Sequence, residues 1–328
     1  MQQFLVALSD APFPSLEPVR EALSKVGAEL RLAEASTPEA IVQVARDADA
    51  LLVTYAKITA EMIRQMRRCR IVSRMGIGTD NIDIAAATDA GMVVTKVPDY
   101  CLDEVSDHTL ALLLALARKI PLANSRVQAG HWEMAAVVPI HRLRGSILGL
   151  VGFGRIAQLV APKAKAFGLR VVAYDPYISP EALARADVEG VDLAELLKLS
   201  DYVSIHSPLT ADTQGLFNAD VFGQMKPGAY LINTARGPIV DEAALASALD
   251  AGQLAGAALD VLSQEPPGAS PLFGRDNVIL TPHMSYYSVE SLADLQIKAA
   301  EEVVRVLTGQ RPHNPVYPEA VQRAAETH

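Results

Sequence analysis

The chain has 328 residues, half of them hydrophobic and a fifth charged, and its 29 Lys and Arg against 38 Asp and Glu leave a net charge of −9. That length favours two domains over one core, and the composition excludes a disordered chain. The acidic balance offers no attraction for nucleic acid or an anionic membrane surface, and the longest apolar run, "LALLLALA" at 110–117, is too short to span a bilayer.

From the start, short apolar runs alternate with amphipathic patterns. "FLVALS", "AELRLAE", "ALLVTYA", "RIVSRMG" and "MVVTKVP" read as strands, separated by helical stretches such as "LEPVREALSKVG", "TPEAIVQVARDA" and "TAEMIRQMRR". Near-continuous apolar strands between helices predict a parallel sheet covered on both faces, a small doubly wound unit ending near residue 100. A long helix follows in "DEVSDHTLALLLALARK", with Pro121 just beyond, and then the irregular, proline-interrupted "HWEMAAVVPIHRLRG". At residue 147 the alternation resumes with "ILGLVGFGRIAQLV", "LRVVAYD", "DYVSIHSP", "AYLINTA", "AGAALDVL" and "NVILTPH", which predict a second and larger parallel sheet. A last amphipathic helix, "SLADLQIKAAEEVVRVLTG", has no sheet of its own left to cover and is expected to return to the first unit. The expected domains are therefore 1–101 with 287–328, and 102–286.

"LGLVGFGRIAQLV" supplies Gly152, Gly154 and Ala157, a GxGxxA pattern between a strand and a helix. Such a turn brings backbone close to a pyrophosphate at a helix N-terminus. Asp175 closes the next strand 21 residues beyond Gly154, where a carboxylate accepts bonds from ribose hydroxyls and repels a 2′-phosphate. NAD is thus expected in preference to NADP. No phosphate loop, nucleophile elbow or HExxH motif is present, Cys69 and Cys101 lack CxxC spacing, and no metal or disulfide is expected.

Three polar residues close apolar runs of the second sheet: Arg236 in "NTARG", Glu265 in "LDVLSQEPP" and His283 in "ILTPH". Ligands of open α/β sheets bind beyond the carboxyl ends of strands, so these three can converge on one crevice. Arg presents a planar fork to a carboxylate, His passes a proton to or from an oxygen, and Glu stabilises the imidazolium. Each alone has a duller explanation, in turn a surface ion pair, a helix-cap carboxylate and a satisfied core histidine. The set of three fits hydride transfer on a 2-oxo or 2-hydroxy acid.

"GLVGFGRI", "MKPGAYLINTARGPIVDEAAL", "AGAALDV", "EPP" and "NVILTPH" together resemble the D-isomer-specific 2-hydroxyacid dehydrogenases, over nearly the whole chain. The resemblance implies an α/β fold of two doubly wound parallel-sheet domains, a flavodoxin-like substrate domain and a Rossmann NAD-binding domain. It assigns catalysis to Arg236, Glu265 and His283. It places NAD against Thr109, Arg155, Ile156, His206, Thr234, Ala235, Arg236 and Asp260, in addition to Gly152, Gly154 and Asp175. The substrate falls to the backbone of Gly76, Ile77 and Gly78 in "SRMGIGTDNID", with Arg74, Arg236, His283 and Tyr286. Tyr55, Tyr100 and Tyr287 are further pocket candidates, which would suit a polar or hydroxylated tail. His108 reads as a satisfied helix-face histidine.

Within the family, "VPDYCLDEVSDHTLALLLALAR", Arg74 and "TPHMSYYS" look most like the branch related to C-terminal binding proteins, although that branch usually has Trp where Tyr286 stands. The resemblance also implies a homodimer, with an arm around 120–145 that holds Trp132, and an enzyme acting on a small acid; with no basic segment ahead of an apolar stretch in "MQQFLVALSD" and no bilayer-length run, a cytoplasmic protein is expected. The competing expectation is a dinucleotide-sensing scaffold that recruits protein partners, like the transcriptional co-repressors of that branch. The sequence closes soon after its last helix without a long tail, which favours the enzyme.

Overall fold

The structure, a computed structural model, describes residues 4–317. The chain divides at Tyr100/Cys101 and at Tyr287/Ser288 into two compact units, the first drawn from both ends of the sequence.

The first unit runs β1 (Leu5–Leu8), α1 (Glu17–Ser24), β2 (Glu29–Leu32), α2 (Pro38–Ala45), β3 (Ala50–Val53), α3 (Ala60–Ile63), β4 (Ile71–Arg74), α4 (Ile84–Asp89) and β5 (Val93–Thr95). Its strands lie in the order β2-β1-β3-β4-β5, all parallel, the flavodoxin-like arrangement. Strand β3 is buried along its whole length, as a strand covered on both faces must be. The α3 helix stops after four residues, well short of the helical pattern that continues through Arg68.

The final helix returns to this unit, as do the residues after it as far as 317; residues 318–328 of the expected segment lie outside the described residues. It is α12 in a chain-order count that assigns α5–α11 to the second unit, and it spans Val289–Leu307 behind a Ser288–Ser291 capping box. Leu292, Leu295, Ala299 and Val303 form its buried stripe, each large aliphatic side chain contributing about 1.5–3 kcal/mol on burial. Ser73 Oγ donates to the Ala299 carbonyl at 3.0 Å, tying the helix to β4. A two-residue strand, Pro315–Val316, then pairs antiparallel with β5. This modifies the all-parallel expectation at one edge, where a short return needs no crossover.

The second unit contains α5 (Leu102–Ala117), α6 (Ile120–Gln128), β6 (Ile147–Val151), α7 (Arg155–Ala166), β7 (Arg170–Tyr174), α8 (Pro180–Arg185), β8 (Glu189–Gly190) and α9 (Leu193–Leu199). It continues with β9 (Tyr202–Ile205), α10 (Ala219–Gln224), β10 (Ala229–Asn233), α11 (Glu242–Asp250), β11 (Leu254–Leu259) and β12 (Val278–Leu280). The order is β8-β7-β6-β9-β10-β11-β12, fully parallel. Chain direction across the sheet reverses between β6 and β9, and that switch point opens the crevice in which such sheets bind ligands.

Pro121 does not stop α5. The helix ends at Ala117, Lys119 two residues on turns left-handed at φ 51°, and Pro121 then sits in the first turn of α6, where a missing N–H costs nothing. The segment after α6 is irregular apart from one 3₁₀ turn at Ala135–Val137. Trp132 within it is 89 % exposed and Met134 74 %, so within this chain the sole tryptophan is not a core residue. No helix among the described residues is long and apolar enough to cross a membrane.

Candidate active site

The cofactor crevice is shaped by glycine. Gly152 follows β6 with φ 89°, and a Cβ built there would stand 2.7 Å from the Ser207 amide nitrogen and 2.8 Å from the His206 carbonyl carbon. Only a residue without a side chain lets the turns after β6 and β9 meet. Gly154 then caps α7 with no side-chain cap bond, and a Cβ there would meet nothing within 4 Å, which leaves the helix N-terminus open to an anion. Arg155, Ile156 and Ala157 form its first turn, with no acidic side chain among them.

Asp175, just past β7, accepts the Phe153 amide at 2.8 Å on one oxygen and the Tyr177 amide at 2.9 Å on the other. It therefore fixes the glycine turn and keeps further lone pairs for hydroxyl donors. Ser207, which the sequence reading did not single out, has a buried hydroxyl without a partner among the described residues. Its sign was the polar residue directly after a strand-end histidine. An open helix terminus, a ribose-height carboxylate and an orphaned hydroxyl beside the glycine turn fit a dinucleotide.

His206 bonds Ser204 Oγ through Nε2 at 2.9 Å. Although the residue keeps part of its surface exposed, its imidazole is enclosed, and desolvation pushes its pKa down to about 4. The ring is neutral at physiological pH and suited to packing beside a cofactor. We expect its NMR signals to stay fixed from about pH 8 to about pH 5.5. An unfolded histidine takes its proton near 6.5 while the folded one resists to about 4, so this group's contribution to stability falls as pH drops through that window. Titration near the ordinary imidazole value would contradict the enclosed ring.

Arg236 ends the irregular step after β10. Fully buried Asn233 holds that step, donating Nδ2 to the Arg236 carbonyl at 2.9 Å and accepting the Ala235 amide at 2.9 Å. The half-buried guanidinium donates Nη1 to the Ala235 carbonyl at 2.7 Å. Gly237 follows because a Cβ there would fall 1.9 Å from the Leu262 carbonyl carbon, backbone of the loop that leads to Glu265. An arginine at the mouth of a buried strand is thus set rigidly beside that loop.

Glu265 Oε2 lies 2.6 Å from His283 Nδ1, and Oε1 accepts the Leu262 amide at 3.0 Å. Burial is the largest single influence on Glu265 and opposes its charge. The bond and charge of His283, the Leu262 amide and the charge of Arg236 together outweigh it and hold the carboxyl below the usual carboxylate range. An ionised carboxylate only accepts, so Nδ1 carries the proton and Nε2 is the nitrogen that exchanges with a ligand, an assignment made from the bonding pattern. His283 itself is left-handed at φ 49°, a conformation costing about 1–3 kcal/mol that the surroundings must enforce. Its amide donates to the carbonyls of Asp260 and Thr281 at 2.8 and 3.0 Å, and its ring meets Tyr286 edge-on at 6.1 Å.

Helix α5 braces these strand ends. Thr109 is fully buried, donates to the Val105 carbonyl at 2.8 Å, and lies 2.9 Å from Thr234 Oγ1. Asp260, also fully buried, accepts Thr281 Oγ1 at 2.5 Å and the amides of Met284 and Ser285 at 2.9 Å each. Thr109 and Asp260 are therefore occupied in holding the framework.

In the first unit, Arg74 folds over the glycine loop, donating Nη1 to the Met75 carbonyl and filling the space a side chain at Gly76 would need. Ile77 and Gly78 are half-buried. Asp10, missed from sequence, accepts the amides of Thr54 and Tyr55 at 3.1 and 2.6 Å, while Asn81 Nδ2 donates to the carbonyls of Thr54 and Ala56. An acidic residue closing the first apolar run was the available signal. Tyr55 and Tyr287 are exposed and Tyr100 is buried.

A dinucleotide crevice at the switch point, with a carboxylate-buttressed histidine and an arginine at neighbouring strand ends, defines a nicotinamide-dependent class. Residues 110–285 match the family model for the NAD binding domain of D-isomer specific 2-hydroxyacid dehydrogenases, and the chain belongs to that family. Among curated relatives, D-3-phosphoglycerate dehydrogenase of Methanocaldococcus jannaschii is 38 % identical over 305 residues, 92 % of this chain and 58 % of that protein. The Bacillus subtilis enzyme of the same name is 40 % identical over 262 residues, 80 % of this chain and 50 % of its own. The chain thus spans little more than half the length of these relatives. The crystal structure of D-lactate dehydrogenase from Aquifex aeolicus, complexed with NAD and lactic acid, superposes with TM-score 0.87 at 30 % identity, covering 96 % of this chain and 99 % of that one. The likeness to the branch of C-terminal binding proteins remains a reading of sequence motifs.

Proposed function

We propose that the chain is an NAD-dependent enzyme interconverting a small 2-oxo acid and its D-2-hydroxy acid, with Arg236, Glu265 and His283 as its catalytic residues. The observation that carries this reading is the 2.6 Å Glu265–His283 pair, whose carboxylate also feels the charge of Arg236. When bound, the nicotinamide supplies or accepts the hydride at C2. Arg236 binds the carboxylate and polarises the C2 carbonyl, protonated His283 delivers its Nε2 proton to the C2 oxygen, and Glu265 stabilises the imidazolium before that transfer. In the oxidative direction His283 takes the hydroxyl proton. Arg74, Gly76, Ile77, Gly78 and Tyr286 are assigned to the substrate by family resemblance. The exposed arm with Trp132 and Met134 is read as a homodimer surface, which light scattering checks. Turnover of NADH with a panel of 2-oxo acids tests the function, and NAD(H) binding without turnover would favour a sensing scaffold instead.

Cofactor choice follows from Asp175. We expect at least a tenfold preference for NADH over NADPH, about 1.4 kcal/mol. Because Asp175 also holds two backbone amides, one on each oxygen, Asp175→Asn is a cleaner probe than alanine: it removes the charge while keeping an acceptor for one of them. Narrowing of the preference in that variant is expected; equal use of both cofactors by the parent protein would remove Asp175 from the ribose site.

A further inference from the structure

Helix α5 presents His108 to the base of the loop after β12 that bears His283. His108 Nε2 stands 3.1 Å from Thr281 Oγ1 and 3.7 Å from Asp260 Oδ1. A hydroxyl has one proton, and that of Thr281 is committed at 2.5 Å to the Asp260 carboxylate, which only accepts when ionised. Thr281 Oγ1 must then accept from His108, which fixes a protonated Nε2 and a directed chain: His108 to Thr281, Thr281 to Asp260. The carboxylate at its end has no exposed surface and also grips the amides of Met284 and Ser285, the two residues after His283. The Asp260 carbonyl holds the amide of His283 itself.

From this chain of bonds we infer that His108 is a positioning residue for the acid/base His283, acting through Thr281 and Asp260. The inference rests on the proposed role of His283. A left-handed histidine is an unfavourable conformer, and the Asp260 carboxylate supplies the bonds that over-determine it. Two of that carboxylate's three donors are backbone amides, one on each oxygen, and the third, the Thr281 hydroxyl, is oriented by His108. Loss of the Nε2 donor frees the hydroxyl to turn, loosens Asp260 and lets the His283 ring wander from its reacting position.

Three measurements test this. First, long-range ¹⁵N–¹H correlation on the parent protein, assigned with His108→Gln, is expected to show Nε2 of His108 protonated at neutral pH; a bare Nε2 would overturn the chain. Second, His108→Leu is expected to lower kcat roughly ten- to a hundredfold with substrate KM moved less than about threefold, because orientation rather than binding is lost. Third, Gln places an amide N–H near the position of Nε2, so His108→Gln is expected to recover most of that kcat. Parental kcat in folded His108→Leu, or a glutamine variant no better than leucine, would refute the positioning role. Should the leucine variant fail to fold, the tautomer and the glutamine variant decide. His283→Asn measured alongside separates the two claims: parental turnover there would dismiss the acid/base reading, and with it the catalytic consequence, whatever the His108 tautomer.

Discussion

Arg236→Ala will lower kcat/KM on the best 2-oxo acid by roughly thirty- to several-thousand-fold, equivalent to about 2–5 kcal/mol for leaving a desolvated carboxylate without its partner. The size follows from how the arginine is held. Asn233 fixes the backbone on both sides of it, and the Ala235 carbonyl takes one guanidinium N–H, so little rotamer freedom remains to be lost when the substrate binds. Arg236→Lys will recover only part of the loss, since an ammonium cannot reproduce a planar two-point contact. The substitution has a second consequence. Arg236 is one of the groups that keep the Glu265 carboxyl below its usual range, so its removal will raise the pH at which Glu265 protonates and bring in the acid limb of activity at higher pH. Near-parental kcat/KM in a folded Arg236→Ala protein would end the carboxylate assignment.

The strands were readable because burial on both faces leaves its mark in composition. Ala50–Val53 and Tyr202–Ile205 are buried throughout, the first an unbroken apolar run and the second interrupted only by the small Ser204. The two-residue strands Glu189–Gly190 and Pro315–Val316 lie at sheet edges, where one missing partner relaxes that demand, and neither has an apolar run to reveal it. Helix α6 was hidden by Pro121, because the same residue that ends one helix is compatible with the first turn of another.

The site divides along the same line. Arg236, Glu265 and His283 stood out because charge at the end of an apolar run is a local anomaly. The Glu265–His283 bond is not local, and chemical complementarity with family resemblance brought the pair together before geometry did. His108 was undetectable as more than a helix-face residue, since its meaning depends on the rotation of α5 against the ends of β11 and β12. Asp260 and Thr109 were singled out for NAD, yet their side-chain bonds run to protein groups within the framework. Resemblance identifies which residues matter more readily than it identifies what each one holds.

Removing His283 will lower kcat by about 10²–10⁴ in both directions, because the same nitrogen protonates the C2 oxygen in reduction and deprotonates the hydroxyl in oxidation. Alanine is a poor probe here. The position is left-handed at φ 49°, where a Cβ residue without a compensating side chain adds strain, and a loss of activity would confound chemistry with loop geometry. Asparagine tolerates that conformation and can keep an amide N–H toward Glu265 while lacking a titratable group at the reacting position. Glu265 retains about a third of its side-chain exposure, so water can solvate whatever the shorter residue leaves unmet and the fold should survive. His283→Asn is therefore expected to fold and to bind NADH like the parent, with its defect confined to turnover. Added imidazole, small enough to enter the vacated space, should restore part of the rate in proportion to its protonated fraction during reduction. Wild-type kcat in His283→Asn would place the proton-transfer group elsewhere. A large loss that imidazole cannot touch, accompanied by weakened NADH binding, would instead mark His283 as a structural support of the cofactor crevice.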